Sequence, residues 1–260
     1  MPRAFWKGVI SFGLVSIPVM MSVATQTKSI SFHLLHKKCK TRPKQVLYCE
    51  SDDEYFSLKD TLRGYEVAKD QHVVLDEKDF EKVPIRTIRS IDIQCFVDAN
   101  EIAPIYYDNC HYIEPQELGI KPFQLLHRAL EKTGRVGIAK VAFQRREHLC
   151  CLRPFEDIIL LQTIHYPSEI IKREEPLHPE MKSSEAELNM AISLIKSMAK
   201  GFNPEEYSDD YEDALKKLIE AKVKGLKIVQ LQTPAAEITD LMAALRESVK
   251  AARGEKATGK

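Results

Sequence analysis

Residues 3–19 (Arg-Ala-Phe-Trp-Lys-Gly-Val-Ile-Ser-Phe-Gly-Leu-Val-Ser-Ile-Pro-Val) read as an apolar strand pair opened by Trp6, the only tryptophan in the chain. Gly8 and Gly13 let neighbouring backbone approach, and Pro18 is expected to end or edge the pairing. Strand character then recurs. Residues 8–25 and 30–36 carry Val, Ile, Phe and Ser in rough alternation. Short strand patterns follow at His72–Leu75, Arg86–Val97, His111–Ile113, Val136–Phe143, Glu147–Leu152 and Ile158–His165. One helix interrupts them, Pro122–Lys132, with Phe123, Leu126 and Leu130 on one face and Gly134 beyond its end. Residues 37–62 are polar, Cys-bearing and short of periodicity, and read as a loop-rich excursion. Many short strands of this kind predict a barrel.

The character changes after Pro167, Pro176 and Pro179. Ser184-x-x-Glu187 is a capping box that starts a helix to about Lys200. A second helix is expected over 208–224, stopped by Gly225. A short strand, Lys227–Gln232, leads to Thr233-Pro234, an N-cap with proline at the first helical position. The last helix carries Ile238, Leu241, Met242, Leu245 and Val249 on one face, and the tail from Arg253 to Lys260 is small, basic and expected to be disordered. The fold class is therefore α+β, mainly β.

With 44% hydrophobic and 29% charged residues, 260 residues suffice for a proper core. Six scattered cysteines are too few for a disulfide scaffold, and neither a signal segment nor an apolar run of membrane-spanning length is present. A cytoplasmic protein with reduced thiols is expected. The 38 basic and 38 acidic side chains cancel, but unevenly. From Lys28 to Lys44 there are six cations and no acid; from Arg135 to Arg153 there are five cations against Glu147 alone; Glu205–Asp213 holds six acids and no base. A protein that holds a polyanion on one surface and repels it elsewhere has this distribution.

The opening run resembles the start of the prokaryotic Ku proteins, the end-binding half of bacterial non-homologous end joining. The resemblance continues in family order at Phe32-His33-Leu34-Leu35-His36, Gly64-Tyr65-Glu66, Leu152-Arg153-Pro154, Phe202-Asn203-Pro204-Glu205-Glu206-Tyr207 and Ile238-Thr239-Asp240-Leu241. It implies a Ku-type β-barrel core with a DNA-encircling arm, a helical C-terminal region, and a homodimeric ring. The domains it implies are a core over 1–175 with part of the arm at 37–62, a helical arm packing on the core over 176–232, a C-terminal helix over 233–252, and a tail over 253–260. With the barrel motif beginning at residue 3, the extra N-terminal domain of the eukaryotic Ku proteins is not expected.

Such a ring admits double-stranded DNA only through a free end, so its contacts need only be electrostatic. Lys37, Lys38, Lys40, Arg42 and Lys44 are the leading phosphate contacts under this reading, with Arg145 and Arg146 second; otherwise the lysine run is a solvated loop. The resemblance further implies work at the nucleoid and a partner, the multifunctional ATP-dependent ligase D. Ile238, Leu241, Met242 and Leu245 lie in the segment resembling the one that engages it, and the competing reading docks the same stripe on its own barrel.

His36-x-x-Cys39 and Cys49-x-x-Asp52 have the spacing of a four-ligand zinc clip. Relatives place Cys-x-x-Cys at the second pair; here Asp52 replaces a cysteine, a poorer ligand for a structural site, and the alternative is a degenerate site with free thiols. No cofactor is required for the implied function. Adjacent Cys150 and Cys151 face opposite ways on a strand, so one is expected in the core and one at the surface. No nucleophile elbow, phosphate loop or His-Glu-x-x-His element appears, and the Asp209–Asp213 acids suit a solvated helix face. The rival function is a metal-dependent nuclease or lyase centred on His36, Cys39 and Cys49. A sequence-specific repressor would need a recognition helix rich in Arg, Asn and Gln, which none of these helices is.

Overall fold

Trp6 begins β1 (Trp6–Phe12), which turns through Gly13 into β2 (Val15–Val23). The computed structural model describes residues 3–83, 87, 89–144, 146–173, 184–225, 245 and 247–249. The chain divides into two units, residues 1–172 and 173–260. In the first unit β2 is followed by an excursion holding β3 (Leu47–Cys49), β4 (Glu54–Phe56), β5 (Arg63–Ala68), β6 (Gln71–Leu75) and a single-turn helix, α1 (Glu77–Glu81). The chain then forms β7 (Ser90–Asp98), β8 (Tyr107–Pro115), α2 (Ile120–Thr133), β9 (Arg135–Phe143), β10 (Arg146–Phe155) and β11 (Ile158–Ile164).

Seven strands close a barrel in the order β1-β2-β8-β11-β10-β9-β7. All neighbours are antiparallel except the closing pair, in which Val9 and Ile10 of β1 run parallel to Ser90 and Ile91 of β7. Alternation decides the interior: Ile10, Ile17, Val19, Met21, Ile91 and Ile113 are fully buried. α2 adds Phe123, Leu126 and Leu130 to the same cluster, the stripe read from the sequence. Trp6 turns inward and its indole N–H donates to the Ala142 carbonyl at 3.2 Å, tying the start of β1 to the end of β9.

The two opening glycines have different tasks. At Gly8 a Cβ would lie 2.4 Å from the Arg89 carbonyl oxygen, so close approach excludes any side chain. Gly13 has open space around it and φ of 57°, so it serves the turn instead of a close approach. Pro18 stands inside the β1–β2 ladder opposite Val9. What it edges is the next ladder, since β2–β8 pairing begins one residue on, at Val19 and Pro115.

Three other expectations change. Residues 30–36 form no strand; this segment finds no ladder partner and leaves Phe32, Leu34 and Leu35 exposed. The excursion accordingly runs from the end of β2 to the start of β7 rather than over 37–62, and it contains two separate two-stranded sheets, β3–β4 and β5–β6. Cys150 and Cys151 do face opposite ways, yet both are fully buried. Cys150 joins the barrel interior, whereas Cys151 joins Val136 and Ile164 in a second cluster covered by Ile102, Tyr106 and Tyr107. The chain crossing between β7 and β8 thus roofs the outer face of β9–β11.

In the second unit, α3 (Glu185–Met198) starts at the Ser184–Glu187 capping box and α4 (Asp210–Val223) at an Asp209 cap, with Gly225 at φ of 68° beyond its end. Neither helix has a fully buried side chain. The Lys227–Gln232 strand and most of the last helix lie outside the described residues; Leu245 and Glu247–Val249 have helical backbone.

Candidate nucleic-acid interface

The first basic run folds into a small closed loop. The His36 N–H donates to the Thr41 carbonyl and the Lys40 N–H to the His36 carbonyl, each at 2.8 Å. Lys40 takes the left-handed conformation that closes it, with φ of 57°. Inside the loop the Cys39 sulfur lies 3.0 Å from His36 Nδ1 and 2.9 Å from Thr41 Oγ1. The Thr41 hydroxyl, the Thr41 backbone and the His36 ring together lower the Cys39 thiol to about 7. With backbone and Cys39 bonded to one another, Lys37, Lys38 and Lys40 stand exposed, as do Lys28, Arg42 and Lys44. Among the described residues none of these six cations forms an ion pair. Unpaired cations on an exposed loop are free to meet phosphates and to release counterions in doing so.

The second run is differently employed. Lys140 pairs with Glu147 at 3.1 Å, and Arg146 pairs with Glu169. The Glu169 carboxyl is held below the usual carboxylate range by the Tyr166 N–H and then by Arg146. Arg153 lies over the Tyr107 ring and donates to its hydroxyl at 2.7 Å. Arg145 lies outside the described residues. The sequence placed Arg146 behind the Lys37–Lys44 run; in the structure Lys140, Arg146 and Arg153 of the second run are each engaged by a local acid or aromatic ring.

The four candidate metal ligands form two pairs, His36–Cys39 and Cys49–Asp52, the second with sulfur 3.4 Å from Asp52 Oδ2. Among the described residues no group of three or more His, Cys, Asp or Glu side chains is arranged to hold a metal ion. As placed, the two pairs do not make a tetrahedral zinc set. The acids at the start of α4 have local work: Asp209 accepts the Glu212 N–H at 3.0 Å, and Asp210, Glu212 and Asp213 occupy the first turn, where the helix dipole favours negative charge. Of the four apolar residues singled out near the C-terminus, Ile238, Leu241 and Met242 lie outside the described residues, and Leu245 is half-buried on helical backbone.

Sequence periodicity missed how apolar the excursion's surface is. Phe32, Leu34, Leu58, Leu62, Tyr65 and Val67 are all more than half exposed. A two-stranded sheet with no covered face, such as β5–β6, is marginal by itself. The signal was available in the Phe32–His36 run, whose apolar residues have no barrel partner to face.

A family model described as the Ku70/Ku80 beta-barrel domain matches residues 11–190. The chain belongs to the Ku β-barrel family. The "Non-homologous end joining protein Ku" of Solibacter usitatus is 37% identical over 257 residues, covering 98% of this chain and 96% of that protein. Its namesake from Archaeoglobus fulgidus is 39% identical over 256 residues, covering 96% of this chain and 100% of that protein. The Symbiobacterium thermophilum protein of the same name is 40% identical over 266 residues; the alignment covers 98% of this chain and spans 64% of that relative's length. Among solved structures, the SPOC domain of human PHD-finger protein 3 aligns at a TM-score of 0.31 and 13% identity over 62% of this chain and 95% of that one, too weak a likeness to argue from. In this Ku barrel the resembling motifs fall on different parts: Leu152-Arg153-Pro154 on β10, Gly64-Tyr65-Glu66 on β5 of the excursion, and Phe202–Tyr207 just before α4. Among the described residues no helix is long and apolar enough to cross a membrane.

Proposed function

We propose that this Ku-family chain is a double-stranded DNA end-binding protein of non-homologous end joining. In this reading two copies form a ring that threads onto linear duplex ends without sequence specificity, bridges breaks, and recruits and stimulates an ATP-dependent ligase of the ligase D type. It works in the cytoplasm at the nucleoid, as a binding protein and not as an enzyme.

The observation that carries the proposal is the His36–Thr41 loop. Its cations are exposed and unpaired on an excursion that leaves the barrel, in a chain of zero net charge. Such a loop supplies sequence-independent phosphate contacts where they are needed and nowhere else. The names of the relatives agree with that use. The ring is supported by the apolar side chains that the excursion leaves uncovered and by helices α3 and α4, which bury none of their own. A second copy related by a two-fold axis would cover such surfaces and double every basic loop. Ligase recruitment rests on the apolar stripe Ile238, Leu241, Met242 and Leu245, which suits a partner groove. No cofactor is needed for phosphate contacts of this kind, and zinc binding would require the two His/Cys/Asp pairs to close on one ion.

A gel-shift comparison of one plasmid, linearised and covalently closed, tests the function. Binding confined to the linear form supports end-dependent loading; equal binding to both forms contradicts it. Incubation of labelled duplex with divalent metal separates the rival nuclease reading, since a nuclease shortens the DNA and a ring only retards it.

A further inference from the structure

The barrel interior changes character at one end. Towards the end remote from α2, the inward positions on β8, β10 and β11 pass from Ile113, Cys150 and Leu161 to His111, His148 and Thr163. A cavity of about 230 Å³ opens there, and a smaller one of about 100 Å³ shares Asp108, His148 and Thr163 with it. His111 is only 7% exposed, and its Nδ1 has no hydrogen-bond partner. His148 repeats the arrangement, half-buried with Nε2 unpartnered. A neutral imidazole can carry its proton on either ring nitrogen, so each unpartnered nitrogen is able to accept a hydrogen bond.

Asp108 and Thr163 add acceptors here, beside the Asn109 and Gln144 side chains that also line the mouth. Asp108 takes the Thr163 hydroxyl at 3.1 Å and has no ion-pair partner among the described residues. Thr163 in turn accepts the Asn109 N–H at 3.0 Å. The cation at the rim, Arg146, is neutralised by Glu169. The walls are aromatic: Phe143 stacks on His148 at 4.2 Å, and Phe5 meets Phe143 and His111 edge-on or tilted at 5.8 and 5.6 Å. A metal is disfavoured, because no three donors gather in metal geometry among the described residues.

Two unpartnered imidazole nitrogens able to accept, one carboxylate without an ion-pair partner and aromatic walls are complementary to a cation that donates hydrogen bonds. We propose that the barrel mouth is a binding site for an alkylammonium or guanidinium group, taken from a free polyamine or from a lysine or arginine side chain of another protein. The site is lined by none of the residues of the basic His36–Thr41 loop and does not depend on the DNA-binding proposal.

Nuclear magnetic resonance of the histidine ring protons in the full chain tests it, with spermidine and N-acetyl-arginine amide as probes and sulfate as the anionic control. The His111 and His148 signals shift saturably with at least one cationic probe at up to millimolar concentration, and the tighter of the two identifies the source. Asp108→Asn, an exposed position whose change leaves the unfolding midpoint unaltered, weakens that binding about tenfold or more, the scale of a lost charge-assisted hydrogen bond. His148→Leu, which removes the ring-nitrogen acceptor, weakens it as well. The proposal is overturned by no saturable shift with either probe, by equal affinity in Asp108→Asn, or by sulfate moving the signals in place of the cations.

Discussion

Replacing Lys37, Lys38 and Arg42 together by glutamine removes three unpaired charges from one exposed loop. Lys40 is left in place because its φ of 57° makes any substitution there a backbone perturbation as well. For binding driven by counterion release, log affinity falls against log salt with a slope of about −0.9 per phosphate neutralised. Without these three charges the slope therefore flattens by about 3 for one copy, and by about 5 for a two-fold pair. Between 50 and 200 mM salt, the pair value corresponds to about a thousandfold less salt sensitivity than the parent shows. The side chains touch nothing that holds the loop together, since its closure uses backbone and Cys39. Folding stability should accordingly stay within about 0.5 kcal/mol of the parent. Fluorescence anisotropy with a blunt duplex over a salt series gives both slopes, and denaturant unfolding confirms the fold. An unchanged slope in a fully folded variant would refute the placement of this loop against phosphates.

Four further outcomes follow from particular interactions. Iodoacetamide should label Cys39 with a rate that rises through a pH of about 7, as the thiolate forms; Thr41→Ala moves that midpoint up, towards the ordinary thiol value of 9.0, and buried Cys150 and Cys151 stay unlabelled until the protein unfolds. Gly119→Ala places a Cβ 2.3 Å from the Pro18 carbonyl oxygen and should destabilise the barrel by about 1–3 kcal/mol in urea unfolding, as overpacking does. Burial holds His111 and His148 below the usual histidine value of 6.5, so the unfolded chain takes up protons first. Stability should then fall as pH drops below 6.5, with a shallower fall in His148→Gln. Leu241→Glu with Leu245→Glu should leave the DNA gel shift intact while abolishing stimulation of ligation; normal stimulation would sink the recruitment assignment.

Much of the barrel could be read from residue order because alternation and burial coincide there. β2 carries Ile17, Val19 and Met21 inward, and α2 shows its Phe123/Leu126/Leu130 stripe, so local pattern and global packing agree. Where they part, sequence reasoning failed for identifiable reasons. Phe32, Leu34 and Leu35 have strand-like composition but no ladder to join. Cys151 faces outward on β10 and is buried by a crossing segment from much earlier in the chain, which no periodicity can announce. At the candidate interface, charge counting found both basic runs, but only the pairing of Arg146 with Glu169 and Lys140 with Glu147 separates a free cation from an occupied one. The barrel-mouth histidines went unnoticed because His111 and His148 lie far apart in the chain and carry no motif; the barrel closure brings them together.

The central claim, a ring around DNA, is tested most directly by trapping. Linear duplex with biotin at both ends is loaded with protein, capped with streptavidin, and challenged with high salt. A ring stays on DNA capped after loading, leaves uncapped DNA, and fails to load when the caps are added first. Equal release from capped and uncapped duplex would mean that the protein lies on DNA from the side, and the ring would be wrong.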